Sequence, residues 1–328
     1  MKVIVPLAGK GTRLLPLTKR VPKPLVKVAG RPVMDYVMDA VQGLDLDELI
    51  VITGHLKDVV EKYVVEHYDV KARFVEQKKL DGTAGAIDLA RPYVDCPVMI
   101  IFVDTLFDAD LSLVRTADAD GILWAKQVED YQRFGVIVTD ERGYMTKIVE
   151  KPTTPISKLA NIGLYYIKDW RTLFDGIAAA KSQAPGPGGE YYLTDAFQYM
   201  VEQGKRLLVG PVGGWYDCGK VDTLLETNRH LLEHGRARRP SRIPAGVTLR
   251  PPVYIEDGVK LEQSVIGPNV TIGAGSVITG STVANSILGN DVRVVGGTVE
   301  GSVVGDGQEI RGRVLNSVLD GGEVTPAT

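Results

Sequence analysis

Val3-Ile4-Val5-Pro6-Leu7-Ala8-Gly9-Lys10-Gly11-Thr12-Arg13-Leu14 is the stretch on which the reading of this chain turns. Three β-branched residues predict a short buried strand, and the chain then enters a loop. Gly9 and Gly11 let the backbone approach a ligand closely, with N–H groups facing anionic oxygens. Lys10 and Arg13 add positive charge, and a guanidinium forks onto phosphate oxygens. The loop is not GxxxxGK[ST], and Leu14 stands where the third glycine of GxGxxG belongs. These residues read as an anion-binding strand–loop or as a plain surface turn. In Val21-Pro22-Lys23-Pro24-Leu25 the two prolines predict an extended segment that presents Lys23.

Outward from this loop, residues 1–235 alternate short β-branched runs with longer amphipathic ones. The spacing predicts strands over 49–53, 72–76 and 98–103, and helices over 32–44, 57–68, 83–90 and 217–233. In the first helix Val33, Met34, Tyr36, Val37, Val41 and Leu44 recur at near-helical spacing. This alternation indicates βαβ units: an α/β, Rossmann-like domain with a mostly parallel sheet covered on both faces. Gln183 to Gly189 reads as a loop, and the basic run Arg236 to Arg242 as a solvated linker.

After Pro244 the period changes. Val247, Val253, Val259 and Val265 are six apart, and so are Ile266, Ile272 and Ile278. Gly, Asn, Asp and Pro fill the intervals. A helix does not tolerate this glycine density, and a lone strand shows period two. A six-residue repeat of one aliphatic and a tight turn predicts a left-handed parallel β-helix, which buries a core by stacking. An irregular glycine-rich β-sandwich is the rival. The regularity weakens after residue 283. The expected organisation is a first domain over 1–235, a linker over 236–243 and the coil over 244–328.

Composition supports two domains and excludes several classes. There are 328 residues, 44% apolar and 24% charged, with a net charge of −3. This is an ordinary globular balance, not a disordered one. No apolar run approaches a membrane span, and the N-terminus lacks a signal-peptide pattern. Cys96 and Cys218 make no disulfide framework, so a cytoplasmic location is expected. A pI near 5.9 argues against nucleic-acid binding. Glycine is in excess, at 36 residues, and 15 of these lie from Pro244 onward, where corners are predicted.

Taken together, Gly9-x-Gly11-Thr12-Arg13-Leu14-x-Pro16-Leu17-Thr18 and Pro22-Lys23-Pro24-Leu25 resemble the sugar-1-phosphate nucleotidyltransferases. The resemblance continues in order through Gln77 with Gly82-Thr83-Ala84, and Phe102-Val103-Asp104 with Phe107. It extends through Phe134-Gly135-Val136, Glu150-Lys151-Pro152, Asn161-Ile162-Gly163-Leu164-Tyr165, Glu190 to Asp195, and Trp215 to Gly219. It is strongest toward glucose-1-phosphate thymidylyl- and uridylyltransferases, and it implies reaction of an NTP with a sugar 1-phosphate. By resemblance Leu7, Ala8, Gly9, Gly11, Thr12, Arg13, Gln77, Gly82, Thr83 and Asp104 contact the nucleotide. Gly135, Glu150, Lys151, Asn161 and Gly163 contact the sugar phosphate. Arg13, Lys23 and Lys151 neutralise charge in the reaction, and Asp104 and Asp217 hold Mg²⁺, a hard cation suited to carboxylates. Asp108 and Asp110 are rival ligands, read as turn and cap residues. Two positions depart from the family: Val103 where glycine often precedes the aspartate, and Gln198 where thymidylyltransferases often carry arginine.

Mannose 1-phosphate with GTP is an alternative pair, and a non-catalytic regulatory or scaffold relative an alternative function. Some relatives carry an acetyltransferase β-helix. Acyl transfer to an amine usually uses a histidine base, and His55, His67, His230 and His234 all precede the coil. The coil is therefore expected to be structural, a surface for homo-oligomer formation or a regulatory platform.

Overall fold

The computed structural model describes residues 1–327, and Thr328 lies outside the described residues. In chain order the first twelve strands are β1 (Lys2–Pro6), β2 (Lys27–Val28), β3 (Arg31–Pro32), β4 (Glu48–Thr53), β5 (Ala72–Glu76), β6 (Val98–Ile101), β7 (Thr105–Ala109), β8 (Gly121–Gln127), β9 (Gly135–Thr139), β10 (Met145–Glu150), β11 (Leu159–Ile167) and β12 (Leu207–Asp217). The helices are α1 (Val33–Val41), α2 (Lys57–His67), α3 (Thr83–Asp88), α4 (Leu113–Thr116), α5 (Trp170–Lys181), α6 (Leu193–Glu202) and α7 (Val221–Leu231). By packing the chain forms two compact units. One holds Met1–Gly9 and Val37–Trp215, and the other Lys10–Tyr36 and the chain from Tyr216 onward.

In the first unit the sheet runs β5-β4-β1-β6-β11-β8-β12-β7, with β9 pairing β11 and β10 pairing β9. The half β5-β4-β1-β6 is parallel, as the strand–helix alternation requires. β11 is antiparallel to both β6 and β8, so antiparallel pairs stand beside the parallel half of the sheet. From β8 to β11 no α-helix intervenes: the chain passes through a 3₁₀ turn, Tyr131–Arg133, and the strands β9 and β10. Val3, Ile4 and Val5 are fully buried in β1, with Ile50, Ile52 and Ile100 of the neighbouring strands beside them. The strand predicted over 98–103 stops at Ile101, and Asp104 follows in a turn before β7. The helix predicted over 217–233 starts later: Asp217 ends β12, and α7 begins at Val221.

In the second unit the chain from Thr248 to Asp320 winds as a parallel β-helix with three strand faces. Val253 pairs with Val270, 17 residues on; Thr282 pairs with Thr298, 16 on; Val303 pairs with Val318, 15 on. Each turn of the coil loses corner residues, which explains why the six-residue period fades after residue 283. Of the two sequence registers, Ile266, Ile272 and Ile278 are fully buried, whereas Val259 and Val265 are only half-buried. Buried serines stitch the corners: Ser264 Oγ accepts from Ser281 N at 3.1 Å, and Ser281 Oγ accepts from Gly297 N at 3.1 Å. Each also donates to a carbonyl, so burial leaves their polar groups satisfied. No helix among the described residues is long and apolar enough to cross a membrane.

Candidate active site

The predicted residues fall into clusters within each unit. In the first, the antiparallel pairing of β9 and β10 puts Gly135 opposite Glu150. Asn161 of β11 donates through Nδ2 to Gly135 O at 2.8 Å, and the buried Tyr165 hydroxyl donates to Asn161 Oδ1. Those two bonds fix which way the amide faces. Thr194, in the first turn of α6, donates through Oγ1 to Glu150 Oε2 at 3.3 Å. A Cβ added at Gly135 would lie 2.3 Å from Asn161 Nδ2, 2.7 Å from Thr194 Cγ2 and 2.9 Å from Glu150 Oε2. Burial pushes the Glu150 carboxyl above the usual carboxylate range, against the pull of Lys151 and the Thr194 hydroxyl. Lys151 adopts a left-handed φ of 44°, and its ammonium lies 4.0 Å from Glu150 and 5.1 Å from the centre of the Tyr192 ring. The structure thus gathers Gly135, Glu150, Lys151 and Asn161. Tyr165 and Thr194 join them. Both stand inside the quoted motifs, but their roles arise from pairing across strands and from the α6 turn, which spacing alone does not show.

Gly163 also has a role in the backbone of β11. It is left-handed, at φ 78°, where β11 changes register, and its carbonyl accepts from Phe102 N at 2.9 Å. A Cβ there would meet Phe102 Cβ at 3.0 Å. Its freedom shapes a bulge against the chain leading to Asp104.

Gln77 follows β5 and is buried. Its backbone N–H donates to Thr53 O at 2.8 Å, and its Nε2 donates to Asp81 Oδ1 at 3.3 Å. Gly82, at φ 99°, presses on the Tyr191 backbone, where a Cβ would lie 2.4 Å from Tyr191 O. This packing by itself requires a glycine at position 82. Thr83 Oγ1 accepts from Leu193 N at 2.9 Å, tying α3 to the start of α6. Leu7 and Ala8 are buried, with Ala8 against Gly54, while Gly9 is exposed, with nothing within 4 Å of a Cβ placed there. Asp104 is half-buried after the C-terminal end of β6, the edge where parallel sheets place ligands. Asp110 is a turn residue rather than a helix cap: its Oδ1 accepts from Ser112 N, two residues on, at 2.9 Å, and the N-cap of α4 is Ser112. Asp108 is not a turn residue. It lies in β7, with its carboxylate beside Gly213 of β12. Gln198 is spent on the edge of β10, its Oε1 accepting from Ile148 N at 3.0 Å.

In the second unit Gly11 is left-handed, at φ 62°, and opens a single 3₁₀ turn, Thr12–Leu14, with Thr12 and Arg13 exposed. Thr18 Oγ1 donates to Gly11 O at 2.9 Å. Lys23 is not in an extended segment. It starts a 3₁₀ turn, Lys23–Leu25, because Pro24 falls in the first turn, where its missing N–H costs nothing. Three predicted groups converge on Gly219. A Cβ there would lie 2.8 Å from Asp217 Oδ1, 3.1 Å from Arg13 Nη2 and 3.3 Å from Lys23 Nζ. Gly219 N donates to Asp217 Oδ1 at 2.6 Å, which fixes the carboxylate. Two cations beside one oriented carboxylate suit phosphate oxygens and a hard metal ion together. Among the described residues no three or more His, Cys, Asp and Glu side chains gather into a metal site by themselves.

The nucleotidyl transferase family matches residues 2–234. The bifunctional protein GlmU of Methanococcus aeolicus is 30% identical over 80% of this chain, and the match spans 62% of that protein. A glucose-1-phosphate thymidylyltransferase of Streptomyces griseus is 30% identical over 95% of this chain and 89% of its own length. The crystal structure of a UDP-glucose pyrophosphorylase complexed with UDP-glucose superposes with a TM-score of 0.63 at 25% identity. That likeness covers 71% of this chain and 98% of that one.

Proposed function

This chain belongs to the nucleotidyl transferase family, and on that footing we propose that it transfers the nucleotidyl group of dTTP or UTP to glucose 1-phosphate. The products are an NDP-sugar and pyrophosphate. The carrying observation is the convergence of Arg13, Lys23 and Asp217 on Gly219. The names of the thymidylyltransferase and of the UDP-glucose complex support a pyrimidine nucleotide and a glucose phosphate.

In the reaction an oxygen of the sugar phosphate attacks the α-phosphorus in line, and the bond to the β-phosphate oxygen breaks. Both reactants are anionic, so the task is alignment and charge neutralisation. Arg13 and Lys23 neutralise the departing pyrophosphate. Lys151 faces the sugar phosphate, while Glu150 accepts from sugar hydroxyls and Asn161 with Gly135 frames the ring. The phosphate is already ionised near neutrality, so no protein base is needed. Asp104 and Asp217 are the proposed ligands of Mg²⁺, which when bound polarises the phosphoryl oxygens. The coil is proposed to carry no acyl transfer and to serve homo-oligomer formation.

Incubation with Mg²⁺, each NTP and a set of sugar 1-phosphates, followed by pyrophosphate detection, tests the reading. Release with glucose 1-phosphate and dTTP or UTP is expected. Release only with mannose 1-phosphate and GTP moves the assignment to that pair, and none with any pair leaves a non-catalytic relative.

Gly135→Ala tests the sugar cluster. The added methyl drives Asn161 and Glu150 apart, and hydrogen bonds to a charged group are worth about 1.5–3 kcal/mol, so KM for the sugar phosphate rises roughly 10- to 100-fold. Steady-state kinetics against each substrate checks this, with KM for the NTP expected to change less.

A further inference from the structure

The segment that carries Arg13 and Lys23 packs with the coil in one compact unit. It is held at both ends. Just past Arg13, Lys19 Nζ pairs with Glu323 Oε2 at 2.5 Å, and Thr325 Oγ1 donates to Leu15 O at 2.8 Å. Past Lys23, the β2–β3 hairpin turns at Ala29 and Gly30, with φ 44° and 84°. Tyr254, the coil's one aromatic residue, lies where a Gly30 side chain would be, with a ring carbon 2.2 Å from the Cβ position. Ala29 is held left-handed despite its Cβ, which needs support from its surroundings.

Asn228 supplies that support. It sits in α7, the helix after Asp217, and is fully buried. Its Oδ1 accepts from Ala29 N at 2.9 Å and from Thr271 Oγ1 at 2.6 Å, and its Nδ2 donates to Asn269 O at 3.3 Å. Thr271 and Asn269 belong to the coil. The preceding residue, Thr227, donates through Oγ1 to Asp217 O at 3.0 Å. Two adjacent residues of α7 therefore grip the Asp217 main chain, the hairpin beyond Lys23 and the coil. A buried network of this kind, with Asn228 Oδ1 accepting two hydrogen bonds and its Nδ2 donating a third, selects one arrangement of its parts where apolar packing would tolerate several.

We propose that Asn228 is a positioning residue through which the coil sets the geometry of Arg13, Lys23 and Asp217, so that the coil takes part in nucleotidyl transfer. The inference rests on the reaction proposed above. Asn228→Ala risks unfolding, so the test uses Thr271, on the coil. In the full chain, with Mg²⁺ and the pair that releases pyrophosphate, Thr271→Val lowers kcat roughly 5- to 20-fold through lost alignment. KM for the sugar phosphate stays within about twofold, because its cluster makes none of these bonds, and Thr271→Ser restores kcat because it keeps the hydroxyl. Assays run well below the unfolding midpoint of each variant. If Thr271→Val turns over like the parent, the network only stabilises the fold and the inference fails, whatever happens to the midpoint. Loss that serine does not restore also overturns it. A parent chain inactive with every pair is a different result, since that removes the reaction itself.

Discussion

Asp217→Asn and Asp104→Asn each lower kcat by roughly 10²- to 10³-fold, the scale seen when one charge-stabilising group is removed from an active site. Asparagine keeps the size and loses the charge, so circular dichroism and the thermal midpoint stay close to those of the parent. The expectation follows from position. Asp104 is half-buried past the C-terminal end of a parallel strand, and Asp217 is held by the Gly219 N–H beside two cations. Asp108→Asn and Asp110→Asn are the controls. Asp110 closes a turn onto Ser112 N, and Asp108 lies exposed in β7. Both controls keep near-parental turnover. Near-parental turnover in Asp104→Asn and Asp217→Asn instead would show that the metal ligands lie elsewhere.

Gly219→Ala separates chemistry from stability. Its φ lies outside the left-handed region, so alanine adopts the backbone without strain. The new methyl meets only the ends of flexible side chains: Asp217 Oδ1 at 2.8 Å, Arg13 Nη2 at 3.1 Å and Lys23 Nζ at 3.3 Å. Those ends shift by a few tenths of an ångström, which costs the fold about 1 kcal/mol or less. The same shift moves every charged group of the cluster, and misalignment of that order costs catalysis roughly 10- to 100-fold. The expected result is a large fall in kcat with a nearly unchanged midpoint. A midpoint that falls with activity in proportion would mean that Gly219 is only a packing residue.

Much of this was legible beforehand, and the reasons differ by region. β1, β4 and β5 and the helices between them follow from local period, because each buries one stripe or both faces. The coil follows from its six-residue repeat, which no other common element produces. The antiparallel strand β11 was not legible, since its partners β6 and β8 lie far from it in sequence and its own residues do not select them. Lys23 was expected to be extended, but Pro24 suits the first turn of a 3₁₀ helix equally well, and local chemistry does not choose between the two.

The candidate site divides in the same way. By itself the sequence determined the residue types: a glycine loop with Arg13, a proline-framed Lys23, aspartates at strand ends, and a motif series that resembles one enzyme family. Only the tertiary structure decided which of them meet. Gly219 collects Arg13, Lys23 and Asp217 from segments about two hundred residues apart, and Gly135 collects Glu150, Asn161 and Thr194 from two strands and a helix. It also placed residues 10–36 in one unit with the coil through Asn228, Tyr254 and Glu323. The physical reason is range. Periodicity and turn chemistry act over a few residues, whereas the convergence of charged groups depends on strand pairing and packing across the whole chain.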